Sequence, residues 1–312
     1  MREQIGAMLK ASTLETREAL LRGTRRKATP VRKAFVQAPR GAARREGPLA
    51  AFVIGRDRRG LLTYLFALAL TSSHNDDSWA TSRDSLVWAR AIGFTEHASE
   101  TTARASVWKA FGRLEERKLL GRSRKGRKGQ SPTITATLLR EDGSEEAYTR
   151  PGKDGDRSAY FQLPHWFWLE GYADRLALPG LAMLLVLLAG PSAGVKGLRM
   201  ERMQEWYGFS ADTTARGIKE LEREGLVTVE KQRIKAPLAP LGWSEVNVYH
   251  VSSQFRLRDS TLGKEVKNED GRHPAEEGQL PAQGRQQDRY CGENRSAPPV
   301  DLDWIGQTLE PR

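Results

Sequence analysis

Apolar residues in the first half of the chain recur with helical spacing in three places. Leu61 to Leu70 (LLTYLFALAL) is apolar on nearly every face and predicts a buried helix. After the polar break TSSHNDDSW, a short helix is expected over Ser82 to Ala91, opened by Thr81 with Asp84 three residues on, the spacing in which side chains satisfy orphan amides. A longer helix is expected from near Ser99 to about Lys118, with Ala103, Val107, Phe111 and Leu114 on one face. Alternation then replaces the helical period. Thr133 to Leu139 (TITATLL) has the β-branched chemistry of a strand, Asp142-Gly143 sits at a hairpin turn, and a further strand is expected near Ala147 to Thr149.

The second half repeats the plan. Leu181 to Ala189, Met200 to Tyr207 and Ser210 to Glu224 predict three helices, the third with Ala215, Ile218, Leu221 and Gly225 on its inner stripe. Leu226 to Ile234 and Val246 to Val251 alternate as strands around a Pro/Gly loop. Letters repeat as well as pattern. Thr-Thr-Ala-Arg stands at Thr101 to Arg104 and at Thr213 to Arg216, an offset of 112, while Phe111 to Leu120 aligns with Ile218 to Val227 at an offset of 107. The disagreement of five residues gives the first copy the longer helix or turn.

Three helices closed by a β-hairpin, twice over, resemble the winged helix-turn-helix family, whose signature T-A-R-x-I-x-x-L-E-x-x-G-L-V is matched at Thr214 to Val227. The first copy departs from it, with Lys118 where Gly225 stands. Two such domains in one basic chain resemble the initiators of plasmid-type replicons and, less specifically, bacterial transcription regulators. The resemblance implies an α+β, mainly helical chain with two winged-helix domains in tandem. The expected divisions are a basic N-terminal arm over 1–48, a first domain over 49–165, a linking helix with the second domain over 166–258, and a disordered acidic tail over 259–312.

Charge sharpens the expectation about partners. The formal net charge is +11, and residues 1 to 60 alone carry 15 basic and 5 acidic side chains, so any footprint on the nearly balanced globular regions must come from local clusters. Residues 22 to 48 are poor in large apolar groups and read either as a solvated linker or as an arm lying along phosphates. Trp166, Phe167 and Trp168 read as a joining helix that buries its aromatics against both domains, in preference to a stacking platform for single strands. In the tail, Leu302, Trp304, Ile305 and Leu309 have the spacing of a docking motif.

If the third helices enter major grooves, rotation by 100° per residue turns Thr101, Ala105, Trp108 and Lys109 outward in the first, with Arg104 on a flank. Trp108 is equally placed to pack on the following hairpin. In the second helix Thr213, Arg216 and Glu220 point outward and Lys219 and Arg223 lie on the flanks; Arg216 is the best placed to fork onto a guanine. Arg122, Arg124, Lys125, Arg127 and Lys128 crowd five charges into seven residues, a phosphate-binding hairpin tip broken by Gly126, and Lys231, Arg233 and Lys235 alternate along the second hairpin.

Enzyme chemistry is not legible. The five histidines are scattered, the His74, Asp76, Asp77 group reads as a helix terminator, and no nucleotide-binding loop or nucleophile motif occurs, so neither catalytic residue, metal nor cofactor is expected. The single Cys291 suits a reducing cytosol, no secretory signal is visible, and the apolar run from Leu176 to Ala189 is too short to span a membrane. The expectation is therefore a non-enzymatic cytoplasmic, nucleoid-associated protein that binds specific double-stranded DNA, at the origin of a plasmid-like or mobile element, or alternatively at an operator. An adaptor that recruits protein partners without reading sequence is a further alternative, and a nuclease or recombinase with an unrecognised site a weaker fourth.

Overall fold

In the computed structural model, which describes residues 10–24, 26–71, 79–126, 131–152 and 158–255, the apolar run at Leu61 to Leu70 belongs to a helix buried from Gly60 to its end. The N-terminal region contributes helix α1 (Thr13–Arg22), strand β1 (Ala28–Arg32) and helix α2 (Leu49–Ile54) before this central helix, α3 (Arg58–Leu70). There follow β2 (Ala80–Asp84), α4 (Ser85–Ala91), α5 (Glu100–Glu116), β3 (Leu120–Lys125), β4 (Thr133–Leu138) and β5 (Tyr160–Pro164). Two single-turn helices, α6 (Trp166–Leu169) and α7 (Tyr172–Arg175), lead into the second half: α8 (Leu178–Ala189), β6 (Val195–Lys196), α9 (Met203–Tyr207), α10 (Ala211–Arg223), β7 (Val227–Lys235) and β8 (Trp243–Val251). The described chain is α+β, with ten helices and three small antiparallel sheets.

The two halves share one order of elements. Helix, short strand, helix, helix, strand, strand runs from α3 to β4 and again from α8 to β8, and each half closes a three-stranded sheet in the order first, third, second: β2-β4-β3 and β6-β8-β7. The helix expected over Ser82 to Ala91 is corrected here. Its first residues are strand β2, paired with β4 from Ala80↔Thr137 to Asp84↔Thr133, and the helix begins only at Ser85, capped by the Asp84 carboxylate accepting from the Leu86 amide at 2.7 Å. The β-branched strand β4 would otherwise present an open edge, and pairing satisfies both backbones. The strand expected near Ala147 to Thr149 reduces to one bridge, Leu139↔Ala147, with Gly143 in the turn.

The expected basic arm over 1–48 is corrected for its described residues, which from α1 on are not a separate arm. From α1 onward the segment folds into the body: every residue of β1 is buried, and β1 pairs antiparallel with β5, so β5 lies outside the first three-stranded sheet. The segment buries its large apolar groups Leu21, Val31, Phe35 and Val36, and guanidinium groups add polar anchors. Arg17, 1% exposed, donates bidentately to Asp174 at 2.6 and 2.8 Å and to the Ala91 carbonyl at 2.8 Å. Arg26 donates to the Ala69 and Thr71 carbonyls at the end of α3, groups that a helix terminus leaves without partners. Arg32 is fully buried against Glu141 and donates to Thr149.

The aromatics between the halves pack against both, as expected. Trp168 meets Phe66 of α3 with ring centroids 4.9 Å apart, while Trp166 lies 4.2 Å from Phe255 beyond β8 and donates to the Gln254 carbonyl. Arg58, at the start of α3, donates to the carbonyls of Ala173, Asp174 and Leu176. Both halves therefore belong to one compact body. No helix among the described residues is long and apolar enough to cross a membrane.

Two predictions follow from this packing. Arg17→Ala should lower unfolding stability by about 2–3 kcal/mol in urea titration, because it leaves a cavity and an unpaired carbonyl; a free arm would lose less than about 0.5 kcal/mol. His165 is buried beside Thr29, and burial, helped by the charge of Arg26, pushes its pKa down to about 4. The unfolded chain, with an ordinary histidine near 6.5, binds the extra proton first, so stability should fall as pH drops from about 6.5 to about 4, by at most about 1.4 kcal/mol per unit. His165→Gln should flatten that slope in denaturant titrations across the same window.

Candidate nucleic-acid interface

The third helix of each half begins with the same cap. Ser99 accepts from the Thr102 amide at 3.3 Å and lies 3.0 Å from its hydroxyl; Ser210 does the same with Thr213, at 3.2 and 3.1 Å. These caps are 111 positions apart, whereas Leu119 and Leu226 after the helices are 107 apart. Helix α5 has 17 residues and α10 has 13, so the longer one carries an extra four residues, about one turn. The Thr-Thr-Ala-Arg tetrapeptides are thus out of register by one position. Ala103 has its counterpart in Thr214, both buried, and Arg104 in Ala215, while Arg216 corresponds to Ala105.

That shift corrects the inner stripe of α10. Thr214, Gly217, Ile218 and Leu221 are buried, and Ala215 is exposed. Gly217 lies so close to α8 that a Cβ there would stand 2.4 Å from the Pro179 carbonyl oxygen. Glu220, expected outside, turns inward and accepts from the amides of Ala177 and Gly180 at 2.7 and 3.2 Å, capping an α8 that has no side-chain cap at its own N-terminus. In α5 the expected stripe is observed: Ala103, Val107, Phe111 and Leu114 are fully buried.

The helices end alike despite their different letters. Gly225 has φ +68°, the left-handed turn that favours glycine, and Lys118 adopts the same turn at φ +61°. The departure from the signature at Lys118 leaves the geometry intact, at the steric cost of a Cβ in that region.

The outward faces carry most of the expected cations. Thr101 and Lys109 are exposed on α5, and half-buried Arg104 has its Nε without a hydrogen-bond partner among the described residues. On α10, Arg216 is 63% exposed and pairs with Asp212 at 2.9 Å, Lys219 is exposed, and Arg223 is exposed near Glu224 and Glu220. Thr213 is half-buried, its hydroxyl engaged in the cap. Such exposed ion pairs contribute about 0–1 kcal/mol, so they leave these cations available to another anion.

Arg122 and Arg124 lie on strand β3, before the hairpin tip. Arg122 donates to Glu115 and to the Trp108 carbonyl, both at 2.8 Å, and stacks 4.1 Å from the Trp108 ring. Its Nε and one Nη are committed to Glu115 and Trp108, which corrects its assignment as a phosphate contact: pairing with Ala136 turns it onto the helix side of the sheet. It also settles Trp108 as packing on the hairpin. Arg124 is exposed on the same face, 5.9 Å from Trp108, and Lys125 follows it into solvent. Arg127 and Lys128 lie outside the described residues.

Arg83 is an addition that the linear pattern hid inside a helix. On β2 it pairs with Ile134, which also pairs with Arg124, so Arg83 and Arg124 flank one residue of β4 in a single row. In the second hairpin Lys231, Arg233 and Lys235 share one strand face, all exposed; Arg233 lies 4.3 Å over Trp243 and 3.7 Å from Glu245. Trp304 and the tail lie outside the described residues. Among the described residues, no group of three His, Cys, Asp or Glu side chains is placed to hold a metal ion.

Comparison with known protein families, characterised proteins and solved structures finds no match for this chain. The two helix ends make a matched test of the shared geometry. Gly225→Ala, which meets no neighbouring atom within 4 Å, should cost about 1 kcal/mol through φ alone, and Lys118→Gly should be neutral to stabilising by up to about 1 kcal/mol, both measured by urea titration.

Proposed function

We propose that this protein binds a specific duplex DNA site through two winged-helix units, with α5 and α10 as the helices that enter major grooves. The observation that carries the reading is the twice-repeated order helix, strand, helix, helix, strand, strand with its first-third-second sheet. In both copies the third helix keeps a capped N-terminus and an outer face open to solvent. Arg216, Lys219 and Arg223 supply the second helix's contacts, and Thr101, Arg104 and Lys109 those of the first. Arg124, Lys125 and Arg83 neutralise phosphates beside α5, as Lys231, Arg233 and Lys235 do beside α10.

The biological setting we propose is initiation at the origin of a plasmid-like or mobile element. Two such units in one basic chain resemble initiators of that class.

Selection of bound fragments from a random duplex pool, followed by titration of the winner against a scrambled duplex, tests the reading. Preference for the selected duplex is expected, with affinity falling roughly 10³- to 10⁵-fold between 50 and 200 mM salt if ~6 to 10 phosphates are neutralised. Arg216→Ala should cost about 1–3 kcal/mol and relax preference at one or two bases, whereas Arg124→Ala with Lys125→Ala should weaken all duplexes alike. Equal affinity for selected and scrambled duplexes overturns the proposal.

A further inference from the structure

The second hairpin ends in a different chemistry from its stem. Residues 236–242 (APLAPLG) contain no charge, and Leu238 and Leu241 are 74% and 71% exposed. The tip is closed rather than frayed: the Ala236 amide donates to the Gly242 carbonyl at 2.9 Å, Ala239 donates to Ala236, and Gly242 donates to Ala239 at 2.8 Å. Ala236 is buried within that turn, Pro237 and Pro240 restrict its backbone, and Ile234 adds a third exposed apolar side chain beside it. Two leucines held in water on a built turn offer apolar area that contact with a partner would remove from water.

The stem indicates what the tip meets. The hairpin is anchored at its base, where Val227, Val248, Tyr249 and Val251 are buried. From Glu230↔Val248 to Lys235↔Trp243 five further residues extend the strands, about 17 Å of reach before the turn. Lys231, Arg233 and Lys235 line one face of this stem, opposed there by the single carboxylate of Glu245, and no acidic residue lies from 231 through 244. Trp243 backs the Arg233 guanidinium at 4.3 Å. An apolar, proline-stiffened point behind which cations converge complements a polyanion with an apolar interior: phosphates for the stem, base faces for the tip.

We propose that this tip is a wedge that enters the minor groove of the bound duplex, placing Leu238 and Leu241 against a base step, unstacking it and bending the DNA. Leucine, isoleucine and proline are among the side chains suited to that insertion, and the unstacking is offset by apolar contact and by the closer approach of phosphates to the stem. This rests on the duplex-binding reading above, and adds to it that the protein deforms its target. The first hairpin, basic along β3, has the complementary task of holding the backbone.

The test uses the full chain and the duplex selected above, with 2-aminopurine substituted at successive positions and the bend measured by gel mobility of circularly permuted fragments. Wild type should raise 2-aminopurine fluorescence at one step and bend the fragment by roughly 20–90°. Leu238→Ser with Leu241→Ser should abolish both signals, with thermal melting of the free protein unchanged; Leu238→Ile with Leu241→Met should retain them. A specific but straight complex, or a bend that survives the double serine change, overturns the wedge while leaving duplex binding intact. If free wild type self-associates in sedimentation and the serine variant does not, the tip is a contact between copies of this chain and the wedge is wrong. Absence of preference for any duplex removes the underlying reading, and the wedge with it.

Discussion

Arginines that meet buried carboxylates and helix-end carbonyls fix how the segments of this molecule fit together. Its N-terminal segment buries Leu21, Val31, Phe35 and Val36, and Arg17, Arg26 and Arg32 accompany them by meeting carboxylates and helix-end carbonyls. The same device joins the halves, through Arg58 on the carbonyls of residues 173, 174 and 176, and positions α5 on α3, through Arg113 and Arg117 on Asp57. Burial opposes ionisation of Asp57, but its hydrogen bonds to the two arginines and the Gly60 amide outweigh that and hold its pKa down at about 2. Buried ion pairs add little net stability over apolar packing, because desolvation takes back most of the Coulomb gain. They demand one geometry, however, since a misplaced guanidinium leaves two groups unpaired. In this chain they set how the repeated units are oriented in a common body.

The repetition is one of geometry more than of letters. Two helices with the same serine cap and the same left-handed ending differ by about a turn in length, and the tetrapeptide they share sits one position apart in them. A capped helix with a buried stripe restricts residue choice enough to bring the same letters close together without true equivalence. The functional consequence concerns Arg104 and Arg216. They occupy different helical positions, one half-buried and one well exposed, so the outer faces of the two helices differ in chemistry. The hairpins diverge further, one basic along its first strand and the other apolar at its tip.

What was legible from residues alone was whatever local physics controls. The central helices at Leu61 to Leu70 and Leu181 to Ala189 follow from apolar content, α5 from its period, β4 and β8 from alternation, and the joining helix from its aromatics. These signals lie within a few residues of one another, so one sequence suffices to read them. The outward positions of Thr101, Lys109 and Arg216 follow from the same periodicity.

Contacts between distant residues decided the rest. Whether Ser82 lies in a helix or a strand depends on β4, some fifty residues later; whether Arg17 and Arg32 meet solvent depends on Asp174 and Glu141; whether Glu220 points out depends on the bare amides at the start of α8. In each case a charged or polar side chain was free to follow water or a buried partner, and only the fold determined whether a partner existed. Apolar periodicity states which face must leave water, whereas the destination of a charge is a property of the assembled interior.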